Sequence, residues 1–587
     1  MNGKILLDGY SIVMGDEPLF VRKCVDDLRA YVPQGEGPVT ILIGKAADIE
    51  LPDDPQSYLL TVRLPSTIIA AGKDPRGTKY ALIDLIRSIE TDGTHAWVAA
   101  DLHVIGKPHF NLRGMYAHLH WQYSHPYALR SWSLDDWKRY VDFLAYMKIN
   151  LFQIWSMAAI CPNPLSPGDE AYLRKYHAVV EYAREVRGME VWPGECANNV
   201  AESDFGTPIE EREYFQAEVL KNPADPDQFQ QIMDNRANMY RLIGNGDGYW
   251  IIDSDPGKWR GSPASEVADI FAGNRALIDR YAGRDAKLVY WMWQGWGTGT
   301  PPENWRGVIE GLSEKVHEPW WLTPCNDRHL ALVSEMGYIG KSVFFPYSLI
   351  EPEPTNPFTH VKFAELSGTF ELALRYPGLV GIMGNAQTPF AQLPNIFYFA
   401  ECAWNPDVAR QSDEEILRRL ARFLFPQIEG RLAEGWLALS REGSAQAFEA
   451  GRTLESIETG LPGPGGRFLF PQPELVVRDL ALLLRIHGFA ELAREGGDAE
   501  NALFGYLSGV LEWQSRTGFH GCRVDAVDFS GGGSLLYGRD SQTIRQAVGS
   551  KGELAASLAN RLKQAGFSEP MSKRAVFELF GDQERRG

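Results

Sequence analysis

Two aspartates, Asp253 and Asp255, close the apolar run Gly248-Tyr249-Trp250-Ile251-Ile252, with a single serine between them. On an extended strand, side chains two apart project to the same face, so the pair would share one small volume with Ser254 turned aside. Carboxylates confined together titrate apart. One pKa rises while the other group stays ionised, which gives a proton donor and an anion at neutral pH. The same Asp-x-Asp before Pro256-Gly257 also occurs as a solvated turn or a helix cap, so its meaning depends on the elements that position it.

Those elements have a regular pattern. Up to about Pro108, strand-like and helical signals alternate in a small α/β unit, with strands expected at Val39–Ile43 and Tyr58–Leu64. From Phe110 to about Asn405, short strands alternate with amphipathic helices for eight rounds. The strands are expected at Arg113–Trp121, Asn150–Trp155, Met189–Gly194, Tyr249–Asp253, Leu288–Trp293, Pro319–Thr323, Ser342–Tyr347 and Leu379–Gly384. Eight βα rounds are what a (β/α)8 TIM barrel requires. After Asn405 only helical patterns follow, such as Glu414–Phe425 and Leu475–Ala493. The expected division is therefore 1–108 as an α/β accessory domain, 109–405 as the barrel and 406–587 as an α-helical domain. In a barrel of this kind the chemistry sits where strands end at their carboxyl side.

The strand ends carry acids, amides and aromatic rings. Strand one leads to His118 and His120, strand two to Trp155, and strand three to Glu195 and Asn198. After Asp253 and Asp255, strand five gives Trp291, Trp293 and Trp296, and strand six Trp321. Strand seven gives Tyr347 with Glu351 beyond it, and strand eight Asn385 and Gln387. Flat aromatic faces beside carboxylates and amides suit a pyranose, which has apolar C–H faces and a rim of hydroxyls. His118 and His120 have metal-ligand spacing, but no third ligand joins them at a matching interval. Hydroxyl contacts or buried hydrogen-bonded histidines are the other readings.

Composition excludes several classes. The 587 residues are 44% hydrophobic and 23% charged, as in a globular protein, and the net charge of -18 argues against nucleic-acid binding. No apolar run approaches the ~20 residues that cross a bilayer, and the amino terminus lacks the basic start and apolar core of a secretory signal. Six scattered cysteines without a Cys-x-x-Cys pair read as reduced thiols. A cytoplasmic protein without metal or cofactor is expected, with a carbohydrate as its partner, no membrane partner, and the helical tail as a surface for homodimerisation. Phosphate loops, Gly-x-Ser-x-Gly elbows and His-Glu-x-x-His helices are absent from the sequence.

The turn Arg76-Gly77-Thr78-Lys79-Tyr80, the segment Leu112-Arg113-Gly114-Met115-Tyr116 and the helix-to-strand stretch Trp137–Asn150 resemble family 20 β-N-acetylhexosaminidases and their relatives in families 84, 89 and 67. The segment from Gly384-Asn385-Ala386-Gln387 to Ala403-Trp404-Asn405-Pro406 is similar to the barrel-to-tail junction of families 84 and 67. The resemblance implies an accessory domain, a barrel and a helical tail. It also implies an exo-acting, retaining hydrolase in which the substrate's own acetamide attacks. Carried over by position, Asp253 orients that acetamide, Asp255 is the general acid and Tyr347 steadies the intermediate. Family 20 has adjacent acids where Ser254 intervenes here, and its Pro-Gly-His reads Pro193-Gly194-Glu195. Two alternatives stand beside it. One is a hydrolase of another sugar, such as a uronide, with Glu195 or Glu351 as nucleophile or base and Arg113 among the basic residues available to a sugar carboxylate. The other is a barrel that binds sugar without catalysis.

Overall fold

Eight parallel strands alternate with helices between Leu112 and Trp404 and form one sheet that curls on itself. This computed structural model describes residues 3–580 apart from 33, 45–48, 121–123, 202–206, 213–217, 254–262, 294–301, 348, 351–357, 360, 497 and 519–551. The rounds are β1 (Leu112–Ala117) with α1 (Leu134–Tyr146), β2 (Leu151–Trp155) with α2 (Pro167–Glu181), β3 (Glu190–Glu195) with α3 (Pro226–Leu242), and β4 (Gly248–Ile252) with α4 (Ala264–Tyr281). They continue with β5 (Lys287–Met292) and α5 (Pro302–Lys315), β6 (Trp320–Pro324) and α6 (Asp327–Glu335), β7 (Val343–Phe344) and α7 (Phe363–Leu374), and β8 (Gly381–Ala386) and α8 (Leu393–Trp404).

Neighbours run β6-β5-β4-β3-β2-β1-β8-β7. A parallel bridge between Leu322 and Ser342, and the Phe345 N–H donating to the Pro324 carbonyl at 2.8 Å, bring β7 back to β6. The expected (β/α)8 barrel is therefore present. Two strands are shorter than the sequence suggests: β1 ends at Ala117, before His118, and β7 keeps only Val343 and Phe344. α1 starts at Ser133, whose hydroxyl caps the Asp136 N–H while Asp136 returns a bond to the Ser133 N–H.

Ahead of the barrel, a five-stranded sheet is ordered Tyr10–Met14, Val39–Ile43, Thr67–Gly72, Tyr58–Arg63, His103–Gly106, with helix Pro75–Ser88 packed on it and helix Leu19–Tyr31 against that helix. Buried cations weld this unit to the amino-terminal end of the barrel. Arg187 is fully buried between Asp27 and Asp142, and Lys79 donates to the Arg187 carbonyl at 2.9 Å. Beyond the barrel the described residues form helices and no strands, among them Asp413–Leu424, Leu475–Arg494 and Ala499–Thr517.

Candidate active site at the carboxyl ends of the strands

Register decides which side chains reach the barrel axis, because partners across a parallel ladder share a face. Tyr116 pairs with Gln153 and Asn385, and Gln153 with Trp192. Trp155 pairs with Gly194, Gly194 with Trp250, and Ile252 with Trp291. All of these share the inner face. The Trp250 and Trp291 rings stack at 4.0 Å and 14°, and Tyr116 meets Trp155, Trp250, Trp291 and Phe345 with centroids 5.4–6.3 Å apart. An aromatic floor therefore crosses the barrel just below its mouth. Gly194 makes room for it: a Cβ there would stand 2.5 Å from Gln153 Nε2 and 2.8 Å from Trp250 Cε3.

Above the floor lie the groups that could meet a ligand. Trp293 packs on Trp291 and Tyr347, each at 4.7 Å. The Tyr347 hydroxyl lies 3.4 Å from His118 Nδ1, and the other nitrogen of His118 contacts His120. Trp155 stands edge-on to His120 at 5.1 Å. Burial, then the neighbouring His118 and Arg130, push the His120 pKa well below the ordinary histidine range, so this ring is neutral at physiological pH. Arg130 fixes the exit of β1 by donating to the carbonyls of Leu119 and His120 at 2.8 Å each. Asn385 is fully buried on the inner face of β8, and Gln387 follows it at 2% exposure.

The acids sit differently. Tyr249 packs on Tyr240 of α3 and Tyr290 on Phe271 of α4, so the odd positions of β4 and the even positions of β5 face the helices. Asp253 continues the Tyr249, Ile251 phase, and its carboxylate accepts a 2.9 Å bond from the Tyr290 hydroxyl. Glu195 pairs with Ile251 in the same phase. It accepts from the Ser156 hydroxyl, from the Ala159 N–H at 3.1 Å and from its neighbour Cys196 at 3.0 Å. Both carboxylates are 0% exposed. Behind them, Asn235 of α3 holds the carbonyls of Ala158 and Cys161, and Arg236 those of Cys196 and Asn199.

The structure brings His118, His120, Trp155, Trp291, Trp293, Tyr347 and Asn385 together on the inner side. It sets Asp253 and Glu195 behind the same strand ends. Asn198 is spent on the base of the Asn199–Ala201 and Glu218–Leu220 hairpin, donating to the Lys221 carbonyl at 2.7 Å. Trp321 lies on Trp192 and the Lys287 ammonium, near the amino-terminal end of β5 and β6. Arg113 is at the opposite end of β1 from the mouth, with its guanidinium on Gln56, Phe110, Lys148 and Tyr80. Asp255, Trp296 and Glu351 lie outside the described residues. Trp250, Gln153 and Tyr290 were not singled out from the sequence; period-two counting from Trp192 and Trp291 along paired strands finds the first two. Among the described residues, no group of three or more His, Cys, Asp or Glu side chains could hold a metal ion, and no helix is long and apolar enough to cross a membrane.

No family model matches the chain, and no curated protein matches it in sequence. Solved structures do match it in fold. CpGH84B superposes with a TM-score of 0.51 at 11% identity, covering 98% of each chain. The family GH115 4-O-methyl-α-glucuronidase BtGH115A, with specificity for decorated arabinogalactans, gives 0.54 at 13%, over 87% of this chain and 77% of that one. A GH138 enzyme targeting pectin rhamnogalacturonan II gives 0.56 at 9%, over 95% of this chain and 100% of that one. The architecture is thus one that glycoside hydrolases of several families adopt. At these identities the likeness is one of fold.

Proposed function

We propose that the protein is an exo-acting glycoside hydrolase that seats one sugar unit on the aromatic floor at the barrel mouth. The observation that carries this reading is the convergence of Trp155, Trp250, Trp291, Trp293 and Tyr347 with the His118–His120 pair where the strands end. Stacked rings give apolar area, and the polar rim gives hydroxyl contacts. In this reading Asp255 protonates the leaving oxygen and the Tyr347 hydroxyl faces the developing charge, while Asp253, on the helix-facing side with the Tyr290 hydroxyl, holds the end of β4 rather than touching the sugar. An N-acetylhexosamine is the first substrate class, with attack by its own acetamide. A uronide is the second, favoured by the glucuronidase activity of one structural neighbour.

The test is hydrolysis of a panel of nitrophenyl glycosides: N-acetylglucosaminide, N-acetylgalactosaminide and glucuronide in both anomers, with Asp255→Asn and Asp253→Asn as controls. Turnover of an acetamido sugar that falls about 10²-fold or more in Asp255→Asn supports the first class, by the usual size of general-acid catalysis. Turnover confined to glucuronides replaces it with the second. Sugar binding without turnover of any substrate would leave a carbohydrate-binding barrel and sink the hydrolase.

A further inference from the structure

At the far end of the barrel from the mouth, a cleft of ≈ 450 Å³ opens where the amino-terminal sheet, the last turn of α8 and the helix Asp413–Leu424 meet. Three cations, Arg87, Lys148 and Arg419, face two carboxylates, Asp84 and Glu401, so one positive charge is left over. Lys148 pairs with Asp84 at 2.8 Å. Glu401 is divided between two guanidiniums, accepting from Arg87 at 2.8 Å and also from Arg419. Two of these cations have little water around them, the side chains of Lys148 and Arg87 being 8% and 18% exposed, while Arg419 is 34% exposed. An under-neutralised charge in such surroundings is costly unless an anion completes it. It also stands out on a chain whose net charge is -18.

Two further features mark the cleft. Lys148 has φ 61°, the left-handed region that a lysine seldom occupies and that persists where the surroundings demand it. Neutral hydrogen-bonding groups complete the wall: Ser88, Asn405, Gln411 and the strand His103–Gly106. Among the described residues that strand pairs with Tyr58–Arg63 alone, at the edge of the sheet. A volume of ≈ 450 Å³ exceeds what a bare anion fills and falls within the roughly 300–1,000 Å³ of small-molecule sites.

We propose that this cleft is a second binding site, for a monosaccharide carrying one oxyanion, either a carboxylate or a phosphate. The anion lies on the guanidinium pair Arg87 and Arg419, whose planar forks suit both groups. The hydroxyls meet the Ser88 oxygen, whose proton goes to the Asp84 carbonyl, and the amide nitrogens of Asn405 and Gln411, whose oxygens accept from the Asp407 N–H and from Arg419. Occupancy here is independent of chemistry at the mouth, because none of these residues lies near the carboxyl ends of the strands.

Isothermal titration of the full chain at low ionic strength tests this with four probes: glucuronate, glucose 6-phosphate, glucose and inorganic phosphate. One of the two acidic sugars is expected to bind at least tenfold more tightly than glucose and inorganic phosphate, and to lose tenfold or more in Arg87→Gln and in Arg419→Gln. Ser88→Trp, which fills the cleft and keeps every charge, is expected to abolish the same binding and decides the matter if an arginine variant fails to fold. Unchanged binding in these variants would place the acidic sugar elsewhere and overturn the proposal. So would inorganic phosphate binding as tightly as the sugars, or no binding by either acidic sugar.

Discussion

Glu195 shows how one side chain's phase on a strand changes its meaning. Its carboxylate takes hydrogen bonds from Ser156, Ala159 and Cys196 and joins the exits of β2 and β3 from behind. Glu195→Gln replaces one acceptor oxygen by a donor facing these N–H and O–H groups. It should lower stability by about 1–3 kcal/mol, the cost of stranding a buried hydrogen-bonding group, as read from the shift of a urea midpoint. A variant of native stability with activity reduced a thousandfold would instead make Glu195 the nucleophile. Gly194→Ala should destabilise by ~1–3 kcal/mol for a steric reason, the overpacking of Gln153 and Trp250, and Gly194→Ser should be no better. Much of the site was legible because rings and polar residues cluster at strand ends. The phase was less so. Counting by twos from Tyr249 places Asp253 with Ile251, but only the Tyr240 and Phe271 contacts show that this set faces the helices.

At the scale of elements, the barrel strands were readable from apolar runs bounded by helical periods, and their ends fall within a few residues of expectation except in β1 and β7. Those two were overdrawn because His118 and Tyr347 continue the period-two pattern after ladder hydrogen bonding has ceased. What the sequence could not give was the partner of each loop. The loop after β1 is tied to the helical region: the Ser124 N–H donates to the Thr517 carbonyl at 2.7 Å, Tyr127 donates to Asp479 at 2.6 Å, and its ring meets Trp513 at 5.7 Å. Burial raises the Asp479 carboxyl to about 6, against the opposing pull of Tyr127 and Arg516. A folded-state pKa above the unfolded value means that this group's contribution is complete below about pH 4 and is lost as pH rises through about 6. Melting curves from pH 4 to 7 should therefore show wild type losing stability with rising pH relative to Asp479→Asn. Parallel curves for the two proteins would remove the tie as a pH-sensitive contact.

At the scale of the whole molecule, one apolar core crosses all three regions that the sequence divides at about 108 and 405. It runs from Leu7 through the barrel to Leu484. Trp132, just ahead of α1, meets Phe470 at 4.9 Å, Phe143 on the same helix meets Phe423 at 5.9 Å, and Arg139 donates to the Leu469 carbonyl at 2.7 Å. On the other side, Arg113, Lys148 and Arg187 are buried against groups of the amino-terminal sheet unit. A chain of residues 109–405 alone would expose the first set of rings to water, and at roughly 25 cal/mol per Å² several such rings amount to more than a domain's net stability. It would also strand three buried cations without their partners, which burial makes costlier still. That fragment should lack a native near-ultraviolet circular dichroism spectrum, whereas the full chain should unfold in a single calorimetric transition. A sharp, cooperative melt from the fragment would show instead that the barrel is stable without its flanks, and that the shared core arises from docking rather than from folding.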